Sequence, residues 1–151
     1  MDMRWFIEVG FTVIAVGIGF LTLRWGVVSF KGQMNAQLFL EFTKRFDEIM
    51  EKFPEDTWSK RFNIEGYLPE PSEELTNNVL RYLNLCGEEY YLYKEKMLAE
   101  SVWKIWEGEL KRTLRTPLFQ REWPLVRGEF EAYPMFMDYV DMVQGSRPPR
   151  S

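Results

Sequence analysis

A chain of 151 residues is long enough for one domain, and with 17% aromatic residues it can bury a substantial core. It contains no histidine, which excludes His-based triads, His-bearing zinc sites and imidazole acid–base chemistry; its one cysteine, Cys86, excludes an intrachain disulfide. A net charge of −4 from interspersed acids and bases does not make a nucleic-acid surface, so no nucleic-acid partner is expected.

The first element is apolar. Val9 to Leu23 carries no charge, and Trp5 to Phe30 admits only Glu8 and Arg24. A bilayer core takes about 20 apolar residues at a rise of about 1.5 Å each. Trp5 and Trp25 stand where interfacial aromatics belong, and Arg24 can extend its head toward the interface. The expectation is one N-terminal transmembrane helix, residues 5–28, within an anchor of residues 1–30. A cleaved signal peptide fits less well, because Met-Asp-Met-Arg is hardly basic and Leu-Thr-Leu-Arg is a poor cleavage site. A core helix of a soluble protein is usually shorter or more polar. Arg24, Lys31, Lys44 and Arg45 follow the span, whereas only Arg4 and the amino terminus precede it. This bias puts the remaining chain on the cytoplasmic side of an inner or plasma membrane.

Within this segment Glu8, Thr12, Ala15, Gly19, Thr22, Gly26 and Ser29 recur at spacings of 4 and 3. All are small or polar among Val, Ile, Leu, Phe and Trp. In lipid, small residues let two helix backbones approach closely, and hydroxyls can bond across the seam. A 4-3 alternation is also the period of a left-handed coiled coil. Ala15, Gly19, Thr22 and Gly26 are therefore expected to form a membrane-helix interface that makes the chain a homo-oligomer in the lipid bilayer. Glu8, Thr12 and Ser29 extend the stripe as polar seam residues. The alternative is a ring of helices in which Glu8, Thr12, Thr22 and Ser29 line a wet pore, as in a membrane-disrupting effector. Gly17-Ile-Gly19 has no third glycine in register and is not a nucleotide loop.

Residues 33–53 place Met34, Leu38, Phe42, Phe46, Ile49 and Phe53 on one helical face. Lys31-Gly32 is where the helix could bend, and Pro54 ends it. Pro54, Gly66, Pro69 and Pro71 make residues 54–71 a connection, with one helical turn expected around Trp58–Phe62. Ser72 caps the next helix, with Glu73 and Glu74 in its first turn. Leu75, Val79, Tyr82, Leu83, Cys86, Tyr90, Tyr93 and Met97 are its buried side. A helix from Glu100 to Arg115 follows, then a short one over Leu118–Glu122 opened by Thr116-Pro117. Pro124 and Gly128 mark a turn, and Tyr133-Pro134 opens a last helix to about Gln144. No two-residue alternation is present. The fold class is all-α: one N-terminal transmembrane helix followed by a small helical bundle, residues 31–144, and a disordered tail, residues 145–151.

Residues 37–50, QLFLEFTKRFDEIM, 81–94, RYLNLCGEEYYLYK, and 102–107, VWKIWE, resemble an uncharacterised bacterial family with an N-terminal membrane helix and a small helical cytoplasmic domain. The resemblance covers most of the chain and implies architecture without an assigned activity. A fainter resemblance in layout is to the membrane accessory protein of RNA-targeting, type VI-B CRISPR systems. That resemblance implies oligomeric pores and an Arg-x4-His nuclease motif. Arg81-x4-Cys86 stands at the matching position, with the histidine missing, which argues against nuclease chemistry.

The remaining chemistry-bearing groups read as structural. Glu88 and Glu89, with Glu95 and Glu100 nearby, are the densest acids, but adjacent helix residues do not face each other, and a solvated face is the expectation. Tyr90, Tyr91, Tyr93, Trp103 and Trp106 lack the surrounding Lys and Arg of a base-stacking platform and are expected in the core. Cys86 reads as a small apolar core residue and Arg81 as a solvated one. No catalysis, cofactor or metal is expected. The function read from the sequence is an interaction or regulatory role, with a protein partner that the sequence does not identify.

Overall fold

In a computed structural model, the structure describes residues 3–54, 57 and 68–145, and within these not the side chains of 3–17 and 20. The expected turn around Trp58–Phe62, the tail from 146 onward, and the side chains of Glu8, Thr12 and Ala15 lie outside the described residues. The chain divides into two compact units, Met1–Phe39 and Leu40–Ser151. The elements are α1 (Met3–Met50), α2 (Glu73–Lys94), α3 (Glu100–Leu114), α4 (Pro117–Val126), a 3₁₀ turn (Arg127–Phe130) and α5 (Pro134–Val143). No strand occurs among the described residues, so the all-α bundle is as the periodicity indicates. Among the described residues no helix is long and apolar enough to cross a membrane. Most of the uncharged run, Val9–Gly17, falls where side chains are not described.

Helix α1 passes through Lys31-Gly32 without a break. A Cβ at Gly32 would meet nothing within 4 Å, so nothing in the chain's own packing bends the helix there. Between the end of α1 and Pro54 the chain is anchored to α2: Asn78 Nδ2 donates to the Lys52 carbonyl at 2.7 Å. Ser72 caps α2 by accepting from the Leu75 backbone N–H at 3.1 Å, and Glu73 and Glu74 complement the helix dipole.

Two helix ends differ from the expected ones. Helix α2 stops at Lys94 through a Schellman motif. The Met97 N–H donates to the Leu92 carbonyl at 2.9 Å and the Lys96 N–H to the Tyr93 carbonyl at 3.0 Å. Lys96 takes the left-handed conformation, φ 58°, which glycine usually supplies. The chain therefore leaves the helix before Met97, which is exposed, and buries Leu98 instead. Helix α4 runs past Pro124 to Val126 rather than stopping at Glu122. A proline inside a helix costs about 3 kcal/mol. The extra turn carries Trp123 and Val126 into the core beside Leu118 and Phe119, and that burial offsets the cost.

The core of the second unit is aromatic. The Tyr90 ring lies 4.9 Å from Tyr139, 5.7 Å from Trp103, 5.8 Å from Phe136 and 6.2 Å from Tyr133, joining α2, α3 and α5. Tyr93 stacks on Trp103 at 4.9 Å. Tyr90 and Trp103 are buried and Tyr93 and Trp106 partly so, while Tyr91 is exposed. Buried charge is compensated in two places. Glu122 accepts from Thr76 Oγ1 at 2.7 Å and from Arg121 Nε at 2.7 Å. Asp141 accepts from Trp123 Nε1 at 2.8 Å and Arg127 Nη2 at 2.8 Å.

Candidate functional site

Two features of the described residues exceed what folding one domain requires. The first is on α1. Ile18, Leu21, Leu23, Trp25, Val27, Val28 and Phe30 are each more than half exposed, Trp25 to 80%. At 100° per residue these bulky side chains occupy about two thirds of the helix circumference. Gly19, Thr22, Gly26 and Ser29 fall together in the remaining third, within about 80° of one another. The structure thus places the described members of the predicted stripe on one face. A Cβ on Gly19 or Gly26 would meet nothing within 4 Å, so packing within the chain does not account for glycine at either position. Thr22 Oγ1 donates to the Ile18 carbonyl at 2.9 Å, which satisfies the hydroxyl inside its own helix.

The second feature is a cavity of about 220 Å³ in the Leu40–Ser151 unit, between the end of α1, α2 and α3. Its walls are apolar: Phe42, Phe46, Leu85, Ile105, Trp106 and Leu110, with Cys86 and the Tyr82 ring. Two carboxyls, Glu89 and Glu109, are the charged groups that line it. Glu109 is held by Arg112 at 2.6 Å. Glu89 is 7% exposed, and among the described residues no hydrogen bond or ion pair holds its carboxyl.

Glu89 corrects the reading of the acidic run as a solvated face. Its neighbour Glu88 points outward and takes a two-pronged bond from Arg45, Nη1 to Oε2 at 2.5 Å and Nη2 to Oε1 at 2.9 Å. Glu89 turns inward. The signal was available in the sequence: Leu75, Val79, Tyr82, Cys86, Glu89 and Tyr93 continue one 4-3 alternation, so position 89 lies on the buried stripe of α2. Cys86 is buried as expected and Arg81 is exposed. Burial pushes the Cys86 thiol well up, with the Glu89 charge adding to it, so the thiol is protonated and inert. Among the described residues, no cluster of Cys, Asp and Glu could hold a metal ion.

Burial raises the Glu89 carboxyl from its ordinary value of 4.5 to about 8, against the opposing pull of Arg45 and with the push of Glu88. The folded chain therefore keeps a proton that the unfolded chain releases. The stabilisation from this group is complete below pH 4.5 and is lost as pH rises to about 8. Across that pH range the loss amounts to a few kcal/mol, at about 1.4 kcal/mol for each tenfold change in proton affinity. Glu89→Gln stays neutral throughout and is expected to flatten this decline, giving a variant more stable than the parent above pH 8. Urea midpoints measured at about pH 5 and about pH 8.5 check it; parallel pH profiles for the two proteins would refute it.

In comparison with known proteins, no family model, no curated protein and no solved structure matches the chain, so neither resemblance read from the sequence gains support from that quarter.

Proposed function

We propose that the chain is a single-pass membrane-anchored protein that self-associates through the Ala15, Gly19, Thr22 and Gly26 face of α1 and presents its helical bundle to the cytoplasm, without catalysis. The observation that carries the reading is the exposure of Ile18, Leu21, Leu23, Trp25, Val27, Val28 and Phe30. A helix with large apolar side chains around most of its circumference is stable when lipid or other helices cover it. Continuity with the uncharged run Val9–Leu23 brings the apolar length to that of a bilayer core. Open space over Gly19 and Gly26 supports close approach of a second backbone there. The back-bonded Thr22 hydroxyl favours a packed seam over a water-lined pore.

The expected result is that the full chain stays with the membrane pellet after an alkaline carbonate wash. Replacing Val13, Val16 and Phe20 together by Lys is expected to release it into the supernatant, because each buried charge opposes insertion by about 3 kcal/mol. Release of the parent chain by the wash would refute the anchor.

A further inference from the structure

We propose that the cavity bounded by Phe42, Phe46, Leu85, Trp106 and Leu110 binds a small organic ammonium ion, an aryl- or alkylamine whose cationic head meets the Glu89 carboxylate and whose body fills the apolar space.

The size, the walls and the charge of the cavity each bear on the ligand. At about 220 Å³ the cavity exceeds the ~150 Å³ that accommodates benzene in an engineered protein core. It has room for a ligand of about ten non-hydrogen atoms. Phe42 and Trp106 stand 5.4 Å apart at 38° and give the cavity aromatic walls for an apolar body; the Phe42 ring already carries the Arg45 guanidinium, 5.3 Å from its centroid. The charged lining is acidic throughout: Glu89 and Glu109 contribute, and neither Lys nor Arg does. That selects against carboxylates and phosphates. Arg45, whose charge pulls on Glu89, is held by Glu88 in two hydrogen bonds and does not line the cavity.

Glu89 is the group that makes this a site. Glu89, which lines the cavity, is 93% buried as a residue, and its carboxyl has no hydrogen-bond or ion-pair partner among the described residues, an arrangement that disfavours its charged form. An ammonium ion supplies the missing partner. The titratable and charged groups around Glu89 are Arg45 from α1, Glu109 from α3, and on its own helix Tyr82, Cys86 and the outward-pointing Glu88. With the empty site it holds its proton near neutrality, so a cationic ligand expels that proton to solvent on binding. Affinity should therefore rise about tenfold per pH unit from about pH 6 toward about pH 8.

The test titrates the full chain in nonionic detergent with three probes of one shape by calorimetry: 2-phenylethylammonium, 2-phenylethanol and phenylacetate. The ammonium is expected to bind with a dissociation constant on the order of 0.1 mM near pH 8. The alcohol should bind about tenfold more weakly, and phenylacetate should not bind. Glu89→Gln should weaken the ammonium by about tenfold or more, remove its pH dependence and leave the alcohol unchanged. Equal affinity for ammonium and alcohol, or a folded Glu89→Gln protein that keeps the ammonium, would overturn the proposal. If thermal melting shows that the variant does not fold, the three-probe comparison on the parent chain decides alone.

Discussion

Phe136→Ala is expected to cost the bundle about 3–5 kcal/mol, a fifth or more of the roughly 5–15 kcal/mol that holds a domain of this size together. Phe136 has no exposed surface. Its ring lies 5.4 Å from Phe130, 5.8 Å from Tyr90, 6.0 Å from Tyr133 and 6.4 Å from Tyr139. The other side of the ring packs over Gly87, where a Cβ would stand 3.4 Å from Cδ1. Four large rings and a helix backbone cannot close together over the space of a lost phenyl group, so the cavity term adds to the lost transfer energy. Phe136→Leu keeps much of the volume and should cost about 1.5 kcal/mol or less. Urea unfolding followed by circular dichroism separates the two, provided that the slope against denaturant is unchanged. A loss below about 1 kcal/mol for Phe136→Ala would mean that the ring cluster does not organise the bundle.

Gly19→Ile combined with Gly26→Ile is expected to abolish most self-association while leaving the helix and its insertion intact. Isoleucine has the better helix propensity of the two and is at home in lipid, so neither substitution weakens the element itself. Each instead places a branched side chain where a second backbone would come closest. Nothing in the chain's own packing obstructs either side chain, so an effect on mass would report on contacts between copies. Light scattering in mild detergent, corrected for bound detergent, should show a lower protein mass for the double variant. Leu21→Ile with Val28→Ile, which alters the opposite side of the helix, should leave the mass unchanged.

The bundle was legible where a local rule governs the backbone. Ser72 caps α2, Pro117 opens α4 and Pro134 opens α5, each where capping chemistry and the fixed angle of proline put a helix start. The departures share a cause: a tertiary gain that overrides a local preference. Lys96 accepts a left-handed backbone because the turn lets Leu98 reach the core. Helix α4 tolerates Pro124 because Trp123 and Val126 bury beyond Glu122. Asp141 and Glu122, ordinary surface residues by type, are buried because Trp123 and Arg127 converge on the first, and Thr76 and the adjacent Arg121 on the second.

The candidate sites divide in the same way. The α1 stripe is a one-dimensional pattern, so spacing alone placed Gly19, Thr22, Gly26 and Ser29 on one face. The cavity depends on three elements meeting, and no pattern within one helix describes its volume. Its carboxyl was nonetheless marked by period: Glu89 follows Tyr82 and Cys86 at spacings of 4 and 3, while the adjacent Glu88 does not. Chemical type led to a solvated reading of both residues, and periodicity separates them.

Disulfide crosslinking in the bilayer tests the central claim most directly. Single cysteines are placed in turn at positions 18 to 29 of α1 and oxidised in native membranes. Cys86 can remain, since it is buried with its thiol held protonated. A packed seam predicts dimer formation that peaks at 19, 22, 26 and 29 and falls between them. Uniform crosslinking, or peaks at 21, 25 and 28, would contradict self-association through the small-residue face.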